Sequence, residues 1–327
     1  MQIALEPSAG LNSVKEDEYL IQFAKDAGEA GVPIFLRYAS EMNGSWVAWY
    51  GNPSLYIKKF RLVHDVMEKY APNVAMVWSP SASPKQTIDE YYPGDVYVDW
   101  VGLSMYSVKY FNGDKKQPAD YVNPLDLLDY VYEQYAARKP IMISEYAATH
   151  LSKAGNEDTT QFAITKMNML YNGIKLKYPR VKAVHWFSLN TLEDSHNEAR
   201  KLNNFSLTEN MKIREAYRKM VNDPYFLSSV QTDNANSKLA YRIYEYKNQV
   251  IRDTVTATFW TKTYDPKIQK VVVTLDGKQI ADLKQYPFKV SLNTSQLTTG
   301  AHQLKAVVYD SKNRVAISKT FVIKTGK

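Results

Sequence analysis

The chain has 327 residues, of which 45% are hydrophobic, a length that suits two domains or one barrel with an appended module. The sequence contains no cysteine, which excludes disulfide bridges, thiolate metal ligands and cysteine nucleophiles. No apolar run is long enough to span a membrane, and the segment from Met1 to Glu6 lacks the basic flank and apolar region of a signal peptide.

The net charge of +7 is unevenly distributed along the chain. Residues 226–327 hold 16 Lys/Arg and 7 Asp/Glu, a net of +9, whereas residues 1–225 hold 25 and 27, a net of −2. A basic module of this kind suits an anionic cell-wall polymer as a partner, although a solvated face kept for solubility is the simpler interpretation. Nucleic acid is not expected, because the basic residues are spread singly without clustered stacking aromatics.

The first 220 or so residues alternate short apolar segments with amphipathic ones. Each apolar segment is hydrophobic along nearly its whole length, which is typical of strands covered on both faces. Strands are predicted at 33–38, 74–78, 99–104, 140–144 and 181–186, with helices at 53–70, about 124–135 and about 160–178. This order predicts an α/β fold of the (β/α)8-barrel type.

The pattern changes after residue 227. Residues 228–237 are polar and predict a linker, and beyond them apolar residues alternate with period two between turns such as Asp276-Gly277 and Thr299-Gly300. The segments 275–288 and 297–302 resemble bacterial immunoglobulin-like modules. We therefore predict a barrel domain at 1–227, a linker at 228–237 and an all-β immunoglobulin-like sandwich at 238–327.

Two glutamates stand at or just beyond the ends of predicted buried strands. Glu41 follows the strand at 33–38, and Glu145 follows the strand at 140–144. Barrel enzymes place their chemistry at the carboxyl ends of the strands, where two such side chains can face each other. A single glutamate in this position is more often structural, but a pair is what hydrolysis of a glycosidic bond requires.

Several segments are similar to glycoside hydrolase family 26, whose best-known members are β-mannanases. They correspond, in chain order, to the acid/base motif, the strand-six region, the nucleophile strand and the last strand of that family: 37–46, 92–102, 140–145 and 184–187. The resemblance runs from about residue 1 to 220. Met1 to Pro7 resembles the third barrel strand, so the first two strands are expected to be missing from this sequence.

The resemblance implies a role for each residue of the catalytic pair and for its neighbours. Glu41 is the acid/base and Glu145 the nucleophile, with Tyr106 hydrogen-bonded to the nucleophile and Arg37 orienting the carboxylates. The chemistry agrees with these roles, because an acid must keep its proton near neutral pH. We therefore expect burial or a neighbouring negative charge to raise the pKa of Glu41, and donors such as Arg37 and Tyr106 to keep Glu145 ionised.

The resemblance also implies a set of residues that contact the sugar. Trp46 and Trp186 are predicted to stack on sugar rings. Trp78, at a strand end, is a further predicted wall, with a place in the core as the alternative. Ser40 stands where the family usually has His, a difference that bears on the sugar next to the cleaved bond.

No metal or cofactor is expected, because the five His residues are scattered without paired ligand spacing and no glycine-rich phosphate loop is present. We predict a secreted or cell-surface, retaining, endo-acting β-glycoside hydrolase with a polysaccharide substrate. The alternative is a catalytically inactive glycan-binding or cell-wall-associated protein on the same fold. The presence of both carboxylates favours the enzyme.

Overall fold

The computed structural model describes residues 1–227, 245–263, 265 and 267–326. The chain divides into two compact units, the first made of residues 1–107, 124–147 and 178–188, and the second of residues 108–123, 148–177 and those from 189 onward. The predicted linker at 228–237 lies outside the described residues, as does the start of the predicted sandwich at 238–244. The two predicted boundaries, after residue 227 and after residue 237, therefore stay a prediction.

Residues 1–227 fold into alternating strands and helices. The strands are β1 (Gln2–Leu5), β2 (Ile34–Tyr38), β3 (Val74–Trp78), β4 (Trp100–Ser107), β5 (Ile141–Ala148), β6 (Leu151–Ser152), β7 (Glu157–Asp158), β8 (Val181–Trp186) and β9 (Asn203–Asn204). The helices are α1 (Glu18–Glu29), α2 (Pro53–Tyr70), α3 (Pro124–Tyr135), α4 (Thr160–Lys177), α5 (Thr191–Asp194) and α6 (Met211–Val221).

Six of these strands form one sheet in the order β1-β2-β3-β4-β5-β8. The registered pairs of β1 with β2, β2 with β3, β3 with β4 and β5 with β8 are all parallel. The Gln2 amide of β1 donates to the Ser144 carbonyl of β5 over 3.3 Å, so the sheet curls until distant strands meet. This curled parallel sheet with helices confirms the predicted (β/α)8-type fold class.

Local sequence explains why the helices form where they do. The α2 helix begins after Asn52, whose side chain accepts from the Leu55 amide over 3.0 Å, and Pro53 occupies its first turn. Its buried residues recur at helical spacing: Tyr56, Phe60, Val63, Val66 and Met67. The α1 helix begins in the same way, with Asp17 accepting from the Leu20 amide.

The inner face of the sheet is tightly packed where β4 meets its neighbours. A Cβ atom on Gly102 would lie 2.2 Å from the Ser144 hydroxyl oxygen and 2.9 Å from the Ser79 Cβ. Those two serine hydroxyls are themselves in contact at 3.0 Å. Only glycine therefore fits at this point of β4, and its small size lets the side chains of Ser79 and Ser144 meet over the strand.

The described residues beyond 245 form two sheets. Their strands are β10 (Val250–Ile251), β11 (Thr254–Phe259), β12 (Ile268–Leu275), β13 (Lys278–Leu283), β14 (Phe288–Asn293), β15 (Gly300–Asp310) and β16 (Val315–Thr325). One sheet has the order β10-β16-β15-β12-β13 and the other pairs β11 with β14. They share an apolar core that includes Val271, Val273, Phe288 and Leu304. The predicted all-β region is therefore present, and its immunoglobulin type stays a prediction.

A search of the described residues finds no helix with the length and apolar character needed to cross a membrane.

Candidate active site

The segment after β2 is fixed by its backbone and by one buried side chain. Ala39 and Glu41 adopt positive φ angles of 46° and 58°, a conformation that non-glycine residues rarely adopt. The Glu41 amide donates to the Ser79 carbonyl over 2.8 Å. Buried Asn43 donates to the carbonyls of Ser81 and Pro84 at 2.9 and 2.8 Å and accepts from the Ser81 amide. The hydrogen bond of the Glu41 amide and those of the Asn43 side chain therefore fix the position of Glu41.

Glu145, on β5, accepts from two donors. The Arg37 guanidinium contacts one carboxylate oxygen at 2.6 Å and the Tyr106 hydroxyl donates to the other. Arg37 is 3% exposed and also donates to the Ser104 hydroxyl over 3.2 Å. Burial, followed by the negative charge of Glu145, raises the pKa of Tyr106, so the phenol keeps the proton that it donates. These contacts fix the orientation of the Glu145 carboxylate in the cluster.

Glu41 has a different environment. Burial raises the pKa of its carboxyl group, and the charge of Glu145 raises it further. The Trp46 indole N–H, which donates to a Glu41 oxygen over 2.6 Å, acts in the opposite direction and lowers the pKa. The two carboxyl groups are thus near enough to interact electrostatically, and they differ in their partners. Glu145 is paired with the Arg37 guanidinium, whereas the raised pKa of Glu41 favours its protonated form.

The other predicted sugar-contacting residues have distinct positions. Trp46 is 47% exposed, so much of its ring is accessible. Ser40 is buried and donates to the Glu6 carboxylate over 3.0 Å. Trp186, at the end of β8, packs edge-to-face on Tyr146 with ring centroids 5.6 Å apart. The structure therefore leaves Trp46 open to a ligand and encloses Ser40.

Trp78 lies elsewhere. It is fully buried, and its ring packs edge-on against Tyr92 at 4.9 Å and against Tyr135 of α3 at 5.2 Å. Its neighbour Val77 pairs in register with Arg37, and successive residues of a strand face opposite sides. Trp78 therefore faces away from the side that carries Arg37 and fills the core beneath the helices, where no sugar ring reaches it.

Three residues near the carboxylates were not predicted from the sequence. Ser104 contacts Arg37, and Phe187 packs edge-to-face on Tyr106 with ring centroids 5.6 Å apart. Glu6 follows β1 directly and accepts from Ser40. The signal for Glu6 was present, because a carboxylate just after a strand is the pattern that singled out Glu41 and Glu145.

One group of residues among those described has the spacing for a metal ion, namely His64, Asp65 and Glu68 on α2. Asp65 and Glu68 are exposed, and His64 contacts Asp65 at 3.0 Å. The His64 ring also packs on Tyr97. The group lies on the surface of α2, where exposed carboxylates are common without a metal.

Comparison with known proteins identifies the family that this chain resembles. Residues 12–174 match the family model described as Glycosyl hydrolase family 26. Endoglucanase H of Acetivibrio thermocellus is 29% identical over 212 residues, which are 59% of this chain and 22% of that protein. Mannan endo-1,4-beta-mannosidase A and B of Caldalkalibacillus mannanilyticus is 25% identical over 233 residues, 68% of this chain and 37% of that protein.

A third relative, Beta-1,3-xylanase TXYA of Vibrio sp, is 35% identical over 98 residues, which are 28% of this chain and 21% of that protein. The chain spans 37% or less of the length of each of these three relatives.

A curled parallel sheet covered by helices, with paired carboxylates on its inner side, is the architecture of the barrel glycoside hydrolases. Within that class, residues 12–174 match glycosyl hydrolase family 26. The resemblance seen in its sequence motifs is therefore confirmed.

Proposed function

We propose that this protein is a retaining, endo-acting hydrolase of a β-linked polysaccharide. The observation that carries the proposal is the difference in environment between the neighbouring carboxyl groups of Glu41 and Glu145. Glu145 is paired with Arg37 and accepts from Tyr106, while burial and the charge of Glu145 raise the pKa of Glu41. A retaining glycosidase needs this division, one ionised nucleophile beside one protonated acid.

In the first step, the Glu145 carboxylate attacks the anomeric carbon and forms a glycosyl-enzyme ester. The glycosidic C–O bond breaks, and Glu41 gives its proton to the departing oxygen. In the second step, Glu41, now ionised, takes a proton from water, and the resulting hydroxide displaces Glu145 from the anomeric carbon. Arg37 and Tyr106 position the nucleophile in both steps, and each step conserves protons and electron pairs.

The names of these relatives indicate the class of substrate. They are an endoglucanase, a mannan endo-1,4-beta-mannosidase and a beta-1,3-xylanase, which differ in sugar and linkage. Two of the three names specify an endo-acting enzyme and two specify a β-linkage, and we propose both properties for this chain. Trp46, Trp186 and the unpredicted Phe187 are the aromatic rings that we propose for sugar stacking, because flat apolar rings match the apolar faces of pyranose sugars.

The proposal is tested by the stereochemistry of the product. Purified protein is incubated with β-mannan, β-glucan, β-1,3-xylan and bacterial exopolysaccharides, and the first product is followed by proton NMR. We expect one polysaccharide to release oligosaccharides whose new reducing end is initially β. An α product would contradict the retaining mechanism. Binding without any release of sugar would support the inactive glycan-binding alternative.

The basic C-terminal region carries a separate proposal, attachment to an anionic cell-wall polymer by a secreted or cell-surface protein. Several of its lysines are exposed on β15 and β16, among them Lys305, Lys319 and Lys324. We expect the full chain to bind an anionic polymer at low salt and to release it as ionic strength rises, because exposed charge contacts are screened. Binding that ignores salt, or no binding, would leave only the role in solubility.

A further inference from the structure

A third carboxylate lies on the same side of the sheet as the catalytic cluster. In β1, the side chain of Gln2 reaches the Ser144 carbonyl, and Ala4 pairs in register with Arg37. Neighbouring residues in register face the same side of a parallel sheet, and alternate residues of a strand share a face. Glu6 stands two residues beyond Ala4, directly after the strand ends at Leu5. The Glu6 side chain is therefore expected on the same side of the sheet as Gln2, Ala4 and Arg37, at the carboxyl ends of the strands.

A buried hydroxyl holds Glu6 in this position. Ser40, which is 3% exposed, donates to one oxygen of the Glu6 carboxylate over 3.0 Å. Among the described residues, no other side chain forms a hydrogen bond with Glu6, and the Glu6 residue is exposed. The result is a carboxylate whose direction is fixed by the protein and whose second oxygen faces solvent.

The same contact places Glu6 beside the proposed acid/base. Ser40 immediately precedes Glu41 in the chain, and the Ala39 amide donates to the Leu5 carbonyl over 2.9 Å. The ends of β1 and β2 are thus joined by a backbone bond and by the Ser40 contact with Glu6. The proposed acid/base Glu41 therefore directly follows, in the chain, the residue that contacts Glu6.

We propose that Glu6 is a specificity-determining residue that accepts a hydrogen bond from a hydroxyl of the sugar next to the cleaved bond, and that it restricts the site to neutral glycans. This inference rests on the function proposed above. Arg37 is paired with Glu145, so it does not offset the charge of Glu6. A sugar that carries a carboxylate of its own is repelled by Glu6, whereas a neutral sugar gains a charge-assisted hydrogen bond.

Ser40 acts through Glu6 and has a positioning role. Ser40→Ala leaves the carboxylate in place but removes its tether, so we expect a smaller loss than from Glu6→Ala. Glu6→Gln is the sharper variant, because its amide oxygen still accepts from Ser40 while the charge is gone. Glu29→Gln, an exposed carboxylate at the end of α1, is the matched control and should leave activity unchanged.

The experiment measures kcat/KM on a neutral β-linked oligosaccharide that the wild-type protein cleaves, and on its counterpart with a uronic acid in place of one sugar. For Glu6→Gln we expect the value on the neutral substrate to fall about 10-fold to 100-fold, which is the effect of losing a charged hydrogen bond. The ratio of kcat/KM on the neutral substrate to kcat/KM on the uronate substrate should decrease by a similar factor. Thermal unfolding of each variant shows whether it is folded.

Two results would overturn the inference. An equal fall on both substrates would mean that Glu6 only supports the segment around Glu41, and no change on either would mean that it does not contact the ligand. If the wild-type protein cleaves nothing, the proposed function fails. Glu6 is then tested by calorimetric binding of the same two oligosaccharides to the wild-type and Glu6→Gln proteins. Unchanged affinities, or no binding at all, would reject it.

Discussion

The two regions of the molecule each contain an arginine paired with a carboxylate, and the pairs differ in every other respect. Arg37 and Glu145 are 108 positions apart, and the arginine is 3% exposed. In the C-terminal sheets, Arg314 and Asp310 are four positions apart, their contact is 2.9 Å, and the arginine is 69% exposed.

The local pair is explained by the turn that it closes, since Asp310 also accepts from the backbone amides of Lys312 and Arg314. No turn of this kind accounts for the pair of Arg37 and Glu145, which lie far apart in the sequence. Burying a guanidinium is costly, and the pair that results contributes little net stability. A buried pair assembled from two separate strands is therefore better explained by the reaction it serves, and the C-terminal pair by the stability of a hairpin.

The largest effect that tests this contrast is expected at Glu145. Glu145→Gln removes the proposed nucleophile while keeping its shape, so we expect kcat on the polysaccharide to fall by at least about 10^4-fold. Reducing-sugar release measures it. Asp310→Asn is the matched variant from the other region, and it should lower the melting temperature without changing kcat. Loss of activity from both variants, or from neither, would remove the contrast.

The next effect is expected at Glu41. In Glu41→Ala no group protonates the leaving oxygen, and general acid catalysis contributes about 10²–10⁴-fold. We expect a loss of that size on the polysaccharide and a much smaller one on an aryl glycoside with an activated leaving group, because such a group departs without a proton. Steady-state kinetics on the two substrates compare the losses. Equal losses would mean that Glu41 does not act as the acid.

A smaller and directional effect is expected at Trp46, whose hydrogen bond lowers the pKa of Glu41. The proposed mechanism requires protonated Glu41, so activity should fall as the pH rises through the pKa of this group. Trp46→Phe keeps an aromatic ring but removes the donor. The pKa of Glu41 should then rise further, and the alkaline limb of the kcat profile should move to higher pH. A limb that moves to lower pH, or that stays in place, would contradict the assignment.

The smallest effect concerns the C-terminal region. Both ring nitrogens of buried His302 face acceptors, the Thr298 carbonyl at 2.8 Å and the Asp276 carboxylate at 2.6 Å. These contacts raise the pKa of His302, with the carbonyl as the larger cause. Its contribution to stability is therefore complete below its ordinary pKa of about 6.5 and is lost as the pH rises through the raised value.

His302→Gln should accordingly lower the melting temperature more at pH 6 than at pH 9.5, as scanning calorimetry would show. Activity measured at a temperature where the variant is folded should match the wild-type value. A loss of stability that is the same at both pH values would mean that His302 is not held in its charged form.

The fold was predictable because buried parallel strands leave a plain signal, near-continuous apolar runs separated by amphipathic helices. The strand ends also pointed to Glu41 and Glu145, which the structure places in one electrostatic cluster. What the apolar runs do not encode is the face on which a side chain lies. Trp78 ends a strand as the glutamates do, but register with β2 turns it toward the helices.

The remaining differences come from contacts between strands that are remote in sequence. The link from Ser104 to Arg37 spans 67 positions, and no local pattern announces it. Phe187 and Trp186 are adjacent in the sequence, so composition does not show which ring reaches Tyr106. The contact between Ser40 and Glu6 joins the ends of β1 and β2, which pair in the sheet although the two residues lie 34 positions apart in the sequence. Glu6 itself followed the rule used for the other two glutamates and was within reach of sequence reasoning.

The left-handed backbone at Ala39 and Glu41 has a consequence for how catalytic geometry is maintained. Each non-glycine residue in this conformation costs roughly 1 kcal/mol, a free energy that the rest of the fold must offset. In return, the direction of the Glu41 side chain is set by main-chain torsions. The bond from the Glu41 amide to Ser79 and the bonds of the Asn43 side chain to Ser81 and Pro84 prevent relaxation of the segment. The proposed proton donor is thus oriented by its peptide backbone before any sugar binds, and little conformational entropy of this segment remains to be lost when the substrate binds.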